Sequence, residues 1–346
     1  MKRARLSSAF FAGVISTVLG GALSQYTAWA SSCESVERLP SMGTVFELQL
    51  VTSCDPETRS ALVLAAQKRL DTIETSMSLY QSESEISRLN RLRAGESLQP
   101  SADFRAVLEA SLKHAKLTNG YFDITVWPAL RTIQMQVKDT GQPPNEAQLA
   151  QLRQQVDYRN VRLGKGEVGF SKDGTQISTD GIAKGYAVDE VARLFDQSGV
   201  RAYLLNFSGN MKLRGTHLDG KPWKVAILNP VDQSSTPAKL RSGDSIASSG
   251  VDFNHYTADK KWHHLIDPKT LHPADRVVGA SVIGPSATVC DALSTAAFVM
   301  GPKLTRKVFA RNYPGYRFWM VDAKNQVFTN AVPSPSDRKN ERKSRL

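Results

Sequence analysis

The chain has 346 residues, 41% hydrophobic and 22% charged, with only 3 Cys. This composition supports a sizeable core and excludes wholesale disorder, a collagen-like repeat and a disulfide-dense miniprotein. The formal net charge of +11 is concentrated at the ends. Lys2, Arg3 and Arg5 open the chain and the last ten residues (DRKNERKSRL) are strongly basic. The body between them carries only about +5, which asks for no nucleic-acid partner.

Residues 1–30 read as an export signal: a basic start, an apolar core over 9–23 and Ala28-Trp29-Ala30 as a small-x-small cleavage site. The apolar run is short for a membrane span. The expected organisation is therefore a signal at 1–30, one folded domain over 31–335 and a basic tail over 336–346, in a periplasmic protein. An oxidising compartment makes one disulfide and one free thiol the expected use of Cys33, Cys54 and Cys290, with Cys33–Cys54 the preferred pair. The alternative for Cys33 is lipidation, which would tether the protein to the inner membrane.

After the signal, Val45–Leu50 alternates as a half-buried strand, and 57–74 places Leu62, Ala66, Leu70 and Ile73 at helical spacing. A second helix is expected over 103–117, stopped near Gly120. Residues 136–155 are polar, contain Pro143-Pro144 and read as a surface excursion. A third helix is expected over 183–197, strands over 202–207, 223–228 and 279–284, and a fourth helix over 288–300. Helices and strands do not alternate one for one, which favours α+β with an antiparallel sheet over a doubly wound parallel fold. Neither GxGxxG nor GxxxxGK[ST] occurs.

Three segments carry candidate chemistry. In 281–301, Asp291, Ser294 and Thr295 share one face of the expected helix, a carboxylate and hydroxyls suited to a hard cation such as Mg²⁺. The same residues also serve ordinary helix starts, where Asp meets amides and Thr bonds back to the previous turn. In 177–189, Gly181 lets the backbone approach a ligand, and the helix that follows carries Lys184 in its first turn, an anion-binding arrangement. In 262–272, His264 and Asp267 bracket a short strand; four of the six histidines fall between 255 and 272, but their spacing matches no zinc site. Aromatic side chains sit beside polar ones at Ser78-Leu79-Tyr80 and Gly120-Tyr121-Phe122-Asp123, a pairing able to stack on a flat ring.

Taken in order, Met42-Gly43-Thr44, Ser78-Leu79-Tyr80, Ser84–Asn90, Gly120–Asp123, Gly181–Asp189, Ser249-Gly250, His264–Pro268 and Asp291–Ala296 make a combination far more specific than its parts. It resembles the ApbE family, the FAD:protein FMN transferases, from about residue 38 to 330. The resemblance implies an ApbE-like α+β fold of duplicated strand–helix (T-fold-like) units packed around a flavin site. It also implies Mg²⁺-dependent transfer of FMN from FAD to a Ser or Thr hydroxyl of an acceptor flavoprotein, such as a redox-complex subunit, with release of AMP. Carried over, Asp291 and Thr295 would hold the metal with the carbonyl of Gly181, Ser294 beside them. Met42, Tyr80, Tyr121, Phe122, Asp123, Ser178, Lys184 and Leu265 would form the flavin side, and His264 would act as base or positioning group. Two other outcomes stay open: Mg²⁺-dependent hydrolysis of FAD to FMN and AMP, and a non-catalytic FAD-binding protein.

The sequence departs from the family pattern on the flavin side. Ser178 stands where an aspartate is usual, and Asp180 where glycine is common; if the stretch is extended, Asp180 points to the same face. Ser208-Gly209-Asn210 replaces a Gly-Gly-Asp-like turn, and Leu271 replaces a glycine. If those two positions need positive φ, Ser208 and Leu271 are strained there.

Overall fold

In the computed structural model, which describes residues 32–252 and 254–330, strands β1 (Ser32–Ser41) and β2 (Thr44–Ser53) form a hairpin in full register, tied at its open end by Cys33–Cys54. The disulfide is the preferred pair, and it engages the sulfur that a lipid anchor on Cys33 would need. The signal segment over 1–30 and the tail over 336–346 lie outside the described residues.

Helix α1 (Pro56–Met77) starts at Asp55, whose carboxylate accepts from Thr58 N at 2.9 Å, with Pro56 at the first helical position. It buries the apolar stripe Leu62, Ala66, Leu70 and Ile73. A short α2 (Glu85–Leu89) and β3 (Ser97–Leu98) lead to α3 (Ala102–Leu117), capped by Ser101. The polar stretch expected as a surface excursion is largely helical: α4 (Trp127–Thr140) and α5 (Glu146–Arg153) cross it. Its polarity reflects exposure rather than irregular backbone. Asn145 and Gln148 form a reciprocal capping box, and Gly141 (φ 69°) closes α4.

Strands β4 (Val161–Leu163) and β5 (Val168–Phe170) complete a small three-stranded sheet with β3. Helix α6 (Ala183–Gln197) then precedes β6 (Ala202–Phe207) and β7 (Asn210–Arg214). Only the end of the expected strand over 223–228 is one: β8 (Ala226–Leu228) pairs with β9 (Ser235–Pro237), while Trp223 is held by its indole N–H on the Arg214 carbonyl at 3.0 Å. Strands β10 (Ser245–Gly250) and β11 (Gly279–Gly284) precede α7 (Ala287–Asn312), which runs past the expected end at 300 through a break at Gly301 (φ 70°) that Pro302 restarts. Strands β12 (Arg317–Val321) and β13 (Val327–Thr329) close the main sheet.

That sheet has eight strands in the order β1-β2-β6-β7-β10-β11-β12-β13, with every neighbouring pair antiparallel. The fold is mixed α+β, as the element order implied. Strand alternation divides the sheet into two faces. Phe46, Leu205, Phe207, Ala247 and Val282 join the main core with α1, α6 and α7, whereas Leu204, Leu213, Ile246 and Ile283 pack with Trp223 in a second cluster. The β1–β2 and β6–β7 hairpin tips and the end of β10 lie at the same end of the sheet. The N-terminus of α6 lies there, crossing the first turns of α7.

Candidate active site

The meeting of α6 and α7 depends on a missing side chain. A Cβ on Gly185 would lie 2.3 Å from the Ala287 carbonyl oxygen and 2.7 Å from Asp291 Cβ, so only glycine permits this approach. Two carboxylates fasten the contact. Asp291 Oδ2 accepts from Gly185 N at 2.9 Å. Asp189 accepts from Ala287 N (3.0 Å), Thr288 N (2.9 Å), Ser286 Oγ (2.7 Å) and Thr288 Oγ1 (2.7 Å), and pairs with Lys212 Nζ at 3.1 Å. A carboxylate on four donors at a helix start is both cap and counter-charge.

Above this crossing opens a cleft of about 640 Å³, within the range of small-molecule and cofactor sites. All the expected site residues line it except Ser294. Ser294 is fully buried behind Thr295 and exchanges a hydrogen bond with Ser249 Oγ at 2.8 Å, so it supports the wall.

On the expected metal side, the Asp291 carboxylate is buried and its pKa is pushed up to about 6 by burial, against the opposing pull of Lys184 and the Gly185 N–H. Thr295 Oγ1 lies 3.5 Å from Ser249 Oγ, and a Cβ on Gly181 would sit 3.4 Å from it. Gly181 and Thr295 are thus neighbours in the cleft wall, with Asp291 one turn before Thr295 on α7 and lining the same cleft. Among the described residues no three His, Cys, Asp or Glu side chains converge to hold a metal. One buried carboxylate with hydroxyl and carbonyl oxygens fits a hard dication that keeps waters and substrate phosphates in its shell.

On the anion side, the start of α6 has no side-chain cap among the described residues, and Lys184 rises from its first turn with Nζ 3.2 Å from the Asp180 carbonyl oxygen. Ser178 does not supply a free hydroxyl: its Oγ accepts from Asp180 N at 3.1 Å in a turn, and its own N–H bonds to the Ile124 carbonyl. The stretch is irregular rather than an extended strand. Both residues still reach the cleft, and Asp180, exposed, carries the carboxylate that position 178 lacks.

The aromatic side is uneven. Tyr80 is 98% exposed on the rim. Tyr121 carries the Lys269 ammonium 3.8 Å over its ring. Phe122 is buried, with Cε2 3.3 Å from where a Gly181 Cβ would be, so its ring serves mainly as packing. Asp123 is also spoken for: Oδ1 accepts from Thr125 N and Oγ1, Oδ2 from Tyr158 N, and burial raises its pKa to about 6. Met42 (φ 46°) holds the β1–β2 tip, its N–H donating to Glu74 of α1 at 2.7 Å. Leu265 is buried in the opposite wall.

His264 Nδ1 lies 2.7 Å from the Asn254 carbonyl oxygen. A carbonyl only accepts, so Nδ1 carries the hydrogen and the neutral ring offers its Nε2 lone pair. Burial first, then Lys184, lowers the pKa, against the Asn254 bond and Asp180. Sequence reasoning missed Asn254, Tyr256 and Trp127. Asn254 contributes a backbone carbonyl, which leaves no side-chain signature; Tyr256 and Trp127 are aromatics without a motif.

Both departures suspected of strain adopt left-handed backbone, Ser208 at φ 51° and Leu271 at φ 63°. The loops keep the shape a glycine would give and hold it with other bonds. Ser208 Oγ meets Thr44 Oγ1 at 2.8 Å, and Leu271 N donates to the Asp267 carbonyl at 2.7 Å.

A fold of this kind, an antiparallel sheet whose hairpin tips, the N-terminus of one helix and the flank of a second frame one polar cleft, matches known flavin-handling proteins. The ApbE family pattern covers residues 42–319, and the chain belongs to that family. It is 30% identical over 271 residues to an FAD:protein FMN transferase of Vibrio cholerae, spanning 76% of this chain and 80% of that protein. It is 28% identical over 313 residues to one of Salmonella typhimurium, spanning 87% and 88%. The solved flavin transferase ApbE from Vibrio cholerae superposes with a TM-score of 0.76 at 25% identity, covering 89% of this chain and 99% of that one. The apo flavinyl transferase ApbE of Pseudomonas stutzeri gives 0.76 at 26%, covering 87% and 95%.

Proposed function

We propose that this protein is a Mg²⁺-dependent FAD:protein FMN transferase that moves FMN from FAD to a Ser or Thr hydroxyl of an acceptor flavoprotein and releases AMP. The observation that carries the reading is the convergence, in one cleft, of the Gly181–Asp291–Thr295 oxygen set, the open start of α6 with Lys184, and the Nε2 lone pair of His264. Lys184 and the α6 amides bind the diphosphate of FAD. Tyr80 and Tyr121 flank the flavin ring. His264 Nε2 takes the proton of the acceptor hydroxyl as its oxygen bonds to the FMN phosphorus; the bond from that phosphorus to the bridging oxygen breaks and AMP leaves. Mg²⁺ bound by Asp291, Thr295 and Gly181 supplies charge neutralisation for the phosphates when present.

We read the fold as a duplicated strand–helix unit, because an antiparallel pair followed by a long helix occurs twice, as β1–β2–α1 and as β10–β11–α7. We further read the protein as exported to the periplasm, with a redox-complex subunit as acceptor; the Cys33–Cys54 disulfide supports an oxidising compartment.

The test is incubation of the mature protein with FAD and Mg²⁺, with and without a candidate acceptor, following AMP and protein-bound flavin. Matched AMP and flavinylated acceptor, both lost in Asp291→Ala, are expected. AMP with free FMN and no acceptor present would instead make the protein a hydrolase, and bound FAD without AMP a flavin-binding protein.

A further inference from the structure

Asn210 opens β7 directly after the β6–β7 turn, and its side chain is 3% exposed. Its Oδ1 is buried and has no hydrogen-bond partner among the described residues. Such an acceptor is costly to leave unmade, and native structures hold few of them. Asn210 also lines the cleft.

Register shows which part of the cleft it faces. Asn210 is opposite Phe207 on β6, and β7 continues to Met211↔Ile246 and Lys212↔Ser245 on β10. Alternation puts Asn210 on the same face as Lys212, the helix-facing side. Lys212 reaches Asp189 of α6 and the Pro285 carbonyl just before α7. Asn210, two residues nearer the cleft end, therefore lies towards the start of α6 and the turn of α7 beyond its start, on the side of Lys184 and Ser249. Hydroxyls lie near it in the wall: Thr44, Ser208 and Ser249. Those hydroxyls have partners of their own, Thr44 with Ser208 and Ser249 with Ser294. Asn210 Oδ1 is left over.

Building on the transferase reading, we propose that Asn210 Oδ1 accepts a hydrogen bond from a substrate hydroxyl next to the reacting phosphate, and so positions that hydroxyl. Ionised phosphates carry no donor, so beside them the donors on offer are the hydroxyls of the ribityl chain and of the acceptor. Two sources share this chemistry: the ribityl chain of FAD and the Ser or Thr of the acceptor. Asn210 touches substrate without exchanging a proton, because an amide oxygen is far too weak a base.

The test compares Asn210→Ala, Asn210→Leu and Asn210→Asp in the mature protein, measuring FAD affinity by flavin fluorescence, acceptor flavinylation and unliganded thermal stability. Asn210→Asp keeps an acceptor oxygen in place and is expected to retain most function. Asn210→Ala and Asn210→Leu remove it and should cost about tenfold. A tenfold weaker FAD Kd identifies the ribityl hydroxyl. An unchanged FAD Kd with a tenfold lower kcat/KM for the acceptor identifies the acceptor hydroxyl. Because Oδ1 has no partner in the unliganded protein, Asn210→Leu should not lower its Tm. A lower Tm together with unchanged FAD binding and flavinylation would overturn the proposal and make Asn210 structural, as would full activity in Asn210→Ala. Wild type that binds no FAD would refute the transferase reading itself, independently of Asn210.

Discussion

Replacing Asp189 by Ala should disable the protein through its architecture, because this residue contacts no cleft atom yet fixes the helix that carries Asp291. The change removes the cap from four donors at the start of α7 and leaves Lys212 without its carboxylate. Breaking a buried charge pair costs about 3–5 kcal/mol, and since the Asp189 side chain is partly exposed the lower figure, about 3 kcal/mol, is expected. Burial pushes the Asp189 carboxyl up, but Lys212 and the Thr288 and Ser286 donors outweigh it and hold the pKa below the usual carboxylate range. A depressed folded pKa means the stabilisation is complete above the unfolded value near 4 and disappears as pH falls through the folded value. Urea unfolding at neutral pH, run as a double-mutant cycle with Lys212→Met, measures the coupling. The double variant should be less destabilised than the two single changes together, because Lys212→Met removes the stranded charge. Additive losses, or a cost under about 1 kcal/mol for Asp189→Ala, would refute this account of the α6–α7 joint.

Three further outcomes follow from the geometry. Gly185→Ala forces a Cβ to within 2.3 Å of a backbone oxygen, so it should cost about 3 kcal/mol and weaken Mg²⁺ binding; an unchanged Tm would contradict the close crossing. Ser208→Gly should stabilise by up to about 1 kcal/mol by relieving left-handed strain, less the lost bond to Thr44, whereas Leu271→Gly should destabilise by about 2 kcal/mol because Leu271 is fully buried; thermal melts giving the same sign for both would show that backbone strain is not what separates them. His114 and His263 are buried, and burial lowers both pKa values to about 4, so the unfolded chain binds more protons than the native state between pH 6.5 and 4. Each histidine should therefore contribute a loss of stability of up to about 3 kcal/mol as pH drops through that window, opposed by Asp123 and Asp291, whose raised pKa values make the native state take up protons there; urea midpoints of His114→Gln and His263→Gln with the same pH slope as wild type from pH 7 to 4.5 would contradict it.

Much of this was legible in the sequence where burial imposes periodicity. α6, β6 and β11 fall where pattern places them, since each buries one helix face or a whole strand against the sheet. β1 was not legible: its burial alternates, but as an edge strand it turns the polar Ser35, Glu37 and Ser41 inward and Val36 outward, so no apolar alternation shows in the sequence. α4 and α5 were obscured by their exposed polar faces, although the Asn145…Gln148 box was a readable start signal. In the site, residues that act through side chains in motifs could be found. The Asn254 carbonyl could not, because any residue offers the same atom. Ser208 and Leu271 show the converse, where sequence flagged a conflict with φ and the backbone resolved it by accepting strain.

The α6 segment joins these requirements in a single turn and a half. Lys184 faces the cleft, Gly185 admits α7, and Asp189 caps α7 from the side away from the ligand. Asp291 sits one turn into α7 and accepts the Gly185 amide, so the closeness of the helices and the orientation of the carboxylate are the same fact. That arrangement buries a carboxylate whose pKa rises to about 6, a cost the protein bears without a ligand. On the proposed function, a bound dication would remove it, because the ion would supply the charge that Lys184 and a single amide leave incomplete. A joint built this way trades unliganded stability for a binding corner whose geometry is already set, which is what transfer of a charged group to a second protein demands.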